Sequence, residues 1–193
     1  DSLINQDYKN YELIIVDDCS TDSTYSILKE YAEKYSYIEL HLNTTNLGFK
    51  RNFEKALTLV KGEFIALCDQ DDIWFPNKVS TCLKHISDHS LAYCEVELID
   101  KKGKKLDEEF PSVNLLEGKC HLSLLFGNCV TGHASMIRKD LLRYALPIPP
   151  GVNLHDQWIA FVAASSQGIR KISKPLSLYR KHDNNAVFRK TKK

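Results

Sequence analysis

Glu63-Phe64-Ile65-Ala66-Leu67-Cys68-Asp69-Gln70-Asp71-Asp72-Ile73-Trp74-Phe75-Pro76 is a short apolar run that ends on an acidic cluster and then on a proline. A run of this length bounded by turn residues reads as a buried strand. Pro76 is placed to open a helix carrying Val79, Cys82, Leu83 and Ile86 on one side. The same unit occurs twice upstream. Tyr11 to Val16 closes on Asp17-Asp18-Cys19-Ser20-Thr21-Asp22, where Ser20 or Asp22 can accept the free amides of a helix bearing Thr24, Ile27, Leu28, Tyr31, Ala32 and Tyr35. Tyr37 to Leu42 leads to a helix face of Phe53, Ala56, Leu57 and Val60 that stops at Gly62. Three strand–helix alternations predict an α/β protein with a mainly parallel sheet.

Beyond them the pattern loosens. A strand is expected near Leu91 to Ile99, then a polar stretch from Asp100 to Glu109 and an apolar segment from Leu122 to Phe126. A strand at His133 to Ile137, a helix from about Asp156 to Ser166 and extended chain from Ile169 to Arg180 complete the reading. At 193 residues, with no repeat and no linker, the chain predicts one domain. Its halves would be 1–90 and 91–182, followed by a basic tail over 183–193.

Composition excludes several classes. With 43% hydrophobic and 26% charged residues the chain has the material for a core and is not disordered. Lys and Arg total 26 against 25 Asp and Glu, so no global field draws it to nucleic acid. No apolar run is long enough to span a bilayer, and Asp1-Ser2-Leu3-Ile4-Asn5-Gln6 is not the start of a signal peptide. Cys19, Cys68, Cys82, Cys94, Cys120 and Cys129 are scattered without a C-x-x-C pair, which predicts reduced, mostly buried thiols and a cytoplasmic address. The tail residues Lys181, Arg189, Lys190, Lys192 and Lys193 suit either plain solvation or peripheral contact with an anionic membrane face.

In open α/β sheets ligands bind beyond the carboxyl ends of the strands. Asp17 and Asp18 close one strand, and Asp69, Asp71 and Asp72 another, so five carboxylates would crowd one rim. A divalent cation relieves their repulsion economically, and Mg²⁺ or Mn²⁺ prefers a few carboxylate oxygens with water and phosphate filling the rest. In extended chain Asp69 and Asp71 would point the same way and could share one ion. The plain alternative is an acidic turn that only caps the next helix. An EF-hand fails because Trp74 stands where its glycine belongs and Ser80 where its acidic twelfth residue belongs. No P-loop or dinucleotide fingerprint occurs, and a D-x-D phosphatase stays open as a further alternative.

Three passages together carry a family resemblance: Ile15-Val16-Asp17-Asp18-Cys19-Ser20-Thr21-Asp22-Ser23-Thr24, Asn46-Leu47-Gly48 with Arg51-Asn52, and Cys68-Asp69-Gln70-Asp71-Asp72-Ile73-Trp74-Phe75-Pro76. Gly132-His133-Ala134-Ser135-Met136, His155-Asp156-Gln157-Trp158 and Tyr179-Arg180-Lys181-His182-Asp183-Asn184-Asn185 extend it nearly end to end. In this order the motifs resemble family 2 glycosyltransferases of the GT-A fold, three-layer α/β/α, with wording most similar to rhamnosyltransferase-like bacterial members. The resemblance implies that Asp18, with Asp17, holds the base of a nucleoside-diphosphate sugar, and that Asn46, Gly48 and Arg51 lie near nucleotide or phosphate. Asp69 would approach ribose or metal, Asp71 would be the main ligand of Mg²⁺ or Mn²⁺, and His182 would reach the metal or diphosphate. Asp156 matches the family's catalytic base, His155 a positioning group, and Gly132 a turn that lets sugar or acceptor approach.

One carboxylate within about 3 Å of an acceptor hydroxyl is sufficient for inverting displacement at an anomeric carbon. The expectation is therefore a metal-dependent inverting transferase that moves a hexose or deoxyhexose, rhamnose included, onto a saccharide or lipid-linked saccharide acceptor of a bacterial surface polysaccharide. The alternative is a module that binds the nucleotide sugar without turnover. Relatives open on a strand of the V-S-I-I-P-x-Y-N kind, whereas this sequence starts inside what the resemblance makes the first helix. A fragment with unpaired strand edges is thus expected.

Overall fold

The computed structural model describes residues 1–108, 115–182 and 185. β1 (Leu13–Asp17) and β2 (Ile38–Leu42) pair in parallel, joined over the crossover by α1 (Thr24–Lys34). Asp22 accepts the Thr24 N–H at 2.9 Å, the start signal expected of that acidic turn. Leu28, Tyr31, Ala32 and Tyr35 form the half-buried face of α1, whereas Ile27 is 50% exposed.

α2 (Phe49–Leu59) follows, and it ends before the expected Gly62 because Val60 already has extended backbone. β3 (Phe64–Ala66) and the two-residue β4 (Ile73–Trp74) flank the acidic cluster, and α3 (Lys78–Ile86) starts two residues after Pro76. β5 (Leu91–Ile99), α4 (His121–Leu124), β6 (Ser135–Arg138), α5 (Leu142–Ala145), α6 (His155–Ser165) and β7 (Ile169–Arg180) complete the described order. Residues 132–134 form a tight 3-10 turn, so His133 stands ahead of the strand expected to contain it.

The larger sheet has the order β3-β6-β5-β7-β4. Only β5 and β7 are parallel in it; β6 runs against both β3 and β5, and β4 against β7. The parallel share is therefore smaller than three strand–helix repeats suggest, because the later strands return without crossovers. Alternation along β5 separates two cores. Leu91 and Tyr93 face α6 residues such as Ile159 and Ala163, with Leu57 of α2. Ala92 and Cys94 face Cys82 and Ile86 of α3. Helices therefore cover both faces, the three layers expected. All six cysteines are unpaired, but only Cys82 and Cys94 are fully buried.

β1 and β3 each have one paired edge. Leu13 and Ile14 of β1 and Phe64, Ile65 and Ala66 of β3 line a common cavity of 710 Å³, with Phe53 and Leu57 of α2 and Val79 and Leu83 of α3 also on its walls. Two strand edges and apolar walls make a slot that an added strand can enter. A strand-forming segment added ahead of Asp1 is expected to raise the melting temperature by about 5 °C or more, since even ~2 kcal/mol of new burial shifts a chain of this size that far. An unchanged melting curve would mean these edges do not accept a strand.

Candidate active site

The chain leaves β3 at Ala66 and turns at residues 70–71, so Asp69 and Asp71 do not lie along one extended segment and their carboxylates part. β4 then pairs with the end of β7, Ile73 opposite Leu178 and Trp74 opposite Ser177, which sets the acidic loop against Arg180 and His182. Asp72 Oδ1 accepts the Arg180 N–H at 3.0 Å, and Arg180 Nε donates to the Asp71 carbonyl at 3.0 Å. Asp71 Oδ2 stands 2.5 Å from His182 Nε2, with 22% and 24% of the two side chains exposed. A separate inner group forms from Asp69, Asp72 and His133. His133 Nδ1 lies 3.3 Å from Asp72 Oδ2, both side chains only 1% exposed, and 3.9 Å from Asp69 Oδ2.

Burial dominates the electrostatics here. It pushes Asp69 up to about 6, helped by the charges of Asp71 and Asp156. It pushes Asp72 up to about 7, against the Arg180 N–H. Burial pulls His133 down to about 3, so its ring is neutral. Folded pKa values above the ordinary carboxylate range mean that the folded chain takes up protons the unfolded chain does not between about pH 4 and 7; on this account stability falls as pH rises through that window. His133, and His155 at about 4, act oppositely, costing stability as pH falls below the ordinary histidine value. A divalent ion competes with the carboxylate protons. Mn²⁺ is therefore expected to raise the melting temperature more at pH 8 than at pH 5; equal shifts at both pH values would count against carboxylate ligation.

Asp156 lies in the first turn of α6, where the helix N-terminus favours its charge. Oδ2 accepts the Gly132 N–H at 3.2 Å and Oδ1 the Gln157 N–H at 2.6 Å. Burial nonetheless raises its pKa above the ordinary value, outweighing those N–H donors. A Cβ on Gly132 would meet His155 Nε2 at 3.4 Å and Asp156 Cβ at 3.5 Å, so side chains larger than alanine would displace this pair. His155 is buried, stacks on Phe53 with ring centres 4.2 Å apart, and among the described residues has no hydrogen-bond partner at either ring nitrogen.

The other strand-end aspartates organise their own loops. Asp18 Oδ1 accepts the Leu47 N–H at 2.8 Å and the Asn43 amide at 2.7 Å, and Oδ2 accepts the Gly48 N–H at 2.8 Å. Burial works against its charge, but these donors outweigh it and hold the carboxyl below its ordinary pKa. Asn46 Nδ2 donates to the Asp18 carbonyl at 3.0 Å. Gly48 has φ +76°, a conformation that side chains disfavour, and it caps α2. Asp17 is buried, with Oδ1 on the Ser20 N–H at 2.8 Å and Oδ2 unpartnered. Arg51 is held by Glu54 and donates to the Ile148 carbonyl at 3.2 Å.

These loops form one arc. The Asp18 loop leads through Phe49, 6.0 Å from the His155 ring, to Asp156 and Gly132, and the adjoining His133 reaches Asp69 and Asp72. Asp71 and His182 stand at its far end. Two features fit a divalent cation: Asp71 beside His182, and an inner group in which Asp72 Oδ2 has no hydrogen-bond partner among the described residues although His133 Nδ1 is near. In the sequence Asp72 stands only as one of the acidic cluster and His133 only inside the Gly132–Met136 motif, with no signal that gives either a role. Only their meeting across the fold reveals the pair.

The chain belongs to glycosyl transferase family 2, whose family model matches residues 1–144. It is 31% identical over 182 residues to the uncharacterised protein Rv1520 of Mycobacterium tuberculosis, covering 89% of this chain and 50% of that one. To EpsH of Bacillus subtilis, assigned by name to the glycosyltransferases, it is 29% identical over 204 residues, covering 100% of this chain and 59% of EpsH. The chain thus spans about half the length of the curated relatives it matches. Among solved structures it resembles Staphylococcus aureus TarS in complex with UDP-GlcNAc, with a TM-score of 0.71 at 23% identity over 95% of this chain and 54% of that one. It also resembles a Pyrobaculum calidifontis mannosyltransferase in complex with GDP-Man and Mn²⁺, with a TM-score of 0.69 at 16% identity over 92% and 50%. Both likenesses concern the fold, and the GT-A architecture expected from the motifs is the one found.

Proposed function

We propose that this chain is a single transferase domain that moves a hexose or deoxyhexose from a nucleoside diphosphate to a hydroxyl of a saccharide or lipid-linked acceptor, with inversion. The observation that carries the reading is the run of contacts that links the Asp18 loop through Phe49 and His155 to Asp156, Gly132 and His133, and from there to Asp69 and Asp72 beside the Asp71–His182 pair. TarS in complex with UDP-GlcNAc and the mannosyltransferase in complex with GDP-Man support a nucleotide-sugar donor. The name of the Bacillus subtilis teichuronic acid biosynthesis glycosyltransferase TuaG, 33% identical over 109 residues, supports a polysaccharide as destination. Residues 1–90 would carry the nucleotide and 91–182 the acceptor. No helix among the described residues is long and apolar enough to cross a membrane. The tail residues Arg189, Lys190, Lys192 and Lys193, which would meet an inner membrane face, lie outside the described residues.

Asp156 acts as base: its carboxylate, held by the Gly132 N–H, takes the acceptor hydroxyl proton as that oxygen attacks the anomeric carbon and the carbon–phosphate oxygen bond breaks. His155, neutral and with both ring nitrogens unpartnered, can hydrogen-bond a sugar hydroxyl beside it. Asp18 keeps the Asn46–Gly48 loop closed around the nucleotide side, and Arg51 stands on the helix behind it. Asp71 and His182 would hold Mg²⁺ or Mn²⁺, with Asp69 facing the inner group of the same acidic loop, and the ion would supply Lewis-acid stabilisation of the departing diphosphate. This outer pair suits a hydrated ion better than Asp72 and His133, whose side chains are almost wholly enclosed.

The open cavity beside β1 favours a second reading, a module that binds the donor without turnover, because the donor-side loops hang on a two-stranded ribbon. Nucleoside diphosphate release across a panel of nucleotide sugars, with and without Mn²⁺, separates the readings. Donor-dependent release supports transfer, calorimetric binding without release supports the module, and neither would defeat both.

A further inference from the structure

Lys78 opens α3 with its side chain inside the protein: the residue is 1% exposed, against Trp74 and near Cys82 and Cys94. A buried ammonium survives only where its charge is answered. Nζ donates a hydrogen bond to the His133 carbonyl and stands 4.0 Å from the centre of the Trp74 ring. Its charge also opposes those of Asp69 and Asp72. The turn it touches is the one that holds the candidate base. Ala134 N–H donates to the Thr131 carbonyl at 3.1 Å, Ser135 Oγ to the Gly132 carbonyl at 2.8 Å, and Gly132 N–H to Asp156 Oδ2 at 3.2 Å. His133, in the middle of this turn, also places its ring against Asp72.

We propose that Lys78 is a positioning residue for the transfer step: its ammonium clamps the 131–135 turn against the acidic loop and so fixes the Gly132 N–H that aims Asp156. One side chain thereby couples the acidic loop over 69–72 and the base Asp156, more than eighty residues apart in sequence. Methionine has nearly the same shape and no charge, and replacing a buried ion by an apolar group of similar volume is often neutral for stability. A lysine kept only for packing would therefore tolerate the exchange.

Lys78→Met is examined by amide hydrogen exchange and by steady-state kinetics on the whole chain. Exchange at Gly132 and Ala134 is expected to accelerate about tenfold or more while the amides of β5 keep their rates. Turnover is expected to fall about tenfold or more with the donor KM within about twofold, as misaimed catalytic groups produce. The kinetic half rests on the function proposed above and the exchange half does not. A wild-type chain without transferase activity would thus defeat that function, while exchange still decides the clamp. Unchanged exchange at Gly132, acceleration spread evenly over the protein, or turnover within threefold of an active wild type would each overturn the proposal. If Lys78→Met does not fold, Lys78→Gln, which keeps a donor but no charge, carries the same two measurements with the same criteria.

Discussion

Asp156→Asn is expected to leave donor affinity within about twofold of wild type and to cut turnover by about three orders of magnitude, the middle to upper range for loss of a general base. The asparagine oxygen can still accept the Gly132 N–H, so the turn keeps its hold on residue 156, while the Gln157 N–H at the helix start loses its side-chain acceptor along with the group that takes the proton. Burial raises the pKa of Asp156, which makes the carboxylate a stronger base than an exposed one but leaves less of it ionised in acid. Wild-type kcat/KM should accordingly rise with pH as this group ionises, and the rise should be absent from the residual activity of Asp156→Asn. Nucleoside diphosphate release measures the rate and calorimetry the donor affinity. Turnover within tenfold of wild type would remove Asp156 from the reaction.

Asp71→Ala is expected to weaken Mn²⁺ binding by about 100-fold, the upper end of what removing a group that only hydrogen-bonds a ligand costs and well within reach of losing a ligand outright. His182→Ala should follow it in direction. Asp71 and His182 stand 2.5 Å apart and partly exposed, where an ion can arrive with its water and leave room for diphosphate oxygens. His133→Ala serves as the control: if the inner group were the ligand set, it would lose Mn²⁺ while Asp71→Ala kept it. Electron paramagnetic resonance of free Mn²⁺ reads both variants without any need for turnover. Undiminished affinity in Asp71→Ala would refute the outer site.

The site was unequally legible in the sequence. Asp69, Asp71, Asp156 and His182 stand in motifs whose order carries the family, so the sequence alone singles them out as candidates. Asp18 is also singled out, but its carboxylate is spent on three donors of the 43–48 segment after β2, a fact no spacing expresses. Asp72, His133 and Lys78 acquire meaning only as neighbours. Lys78 in particular reads as an ordinary charged residue near a helix start, and nothing local says that it is buried under Trp74.

Local chemistry accounts for this division. Apolar periodicity, the turn at Asp22 and the acidic strand ends act over a few residues, so the sequence alone determined the strand–helix order of the first half, the extended run of β7 and the family. Pairing is a property of the whole chain. That β6 inserts antiparallel between β3 and β5, that the edges of β1 and β3 line an open cavity, and that Asp69 turns toward His133 while Asp71 turns toward His182 were decided only by tertiary structure. Each depends on which distant backbone edge or buried charge finds its partner, and no window of neighbouring residues contains that information.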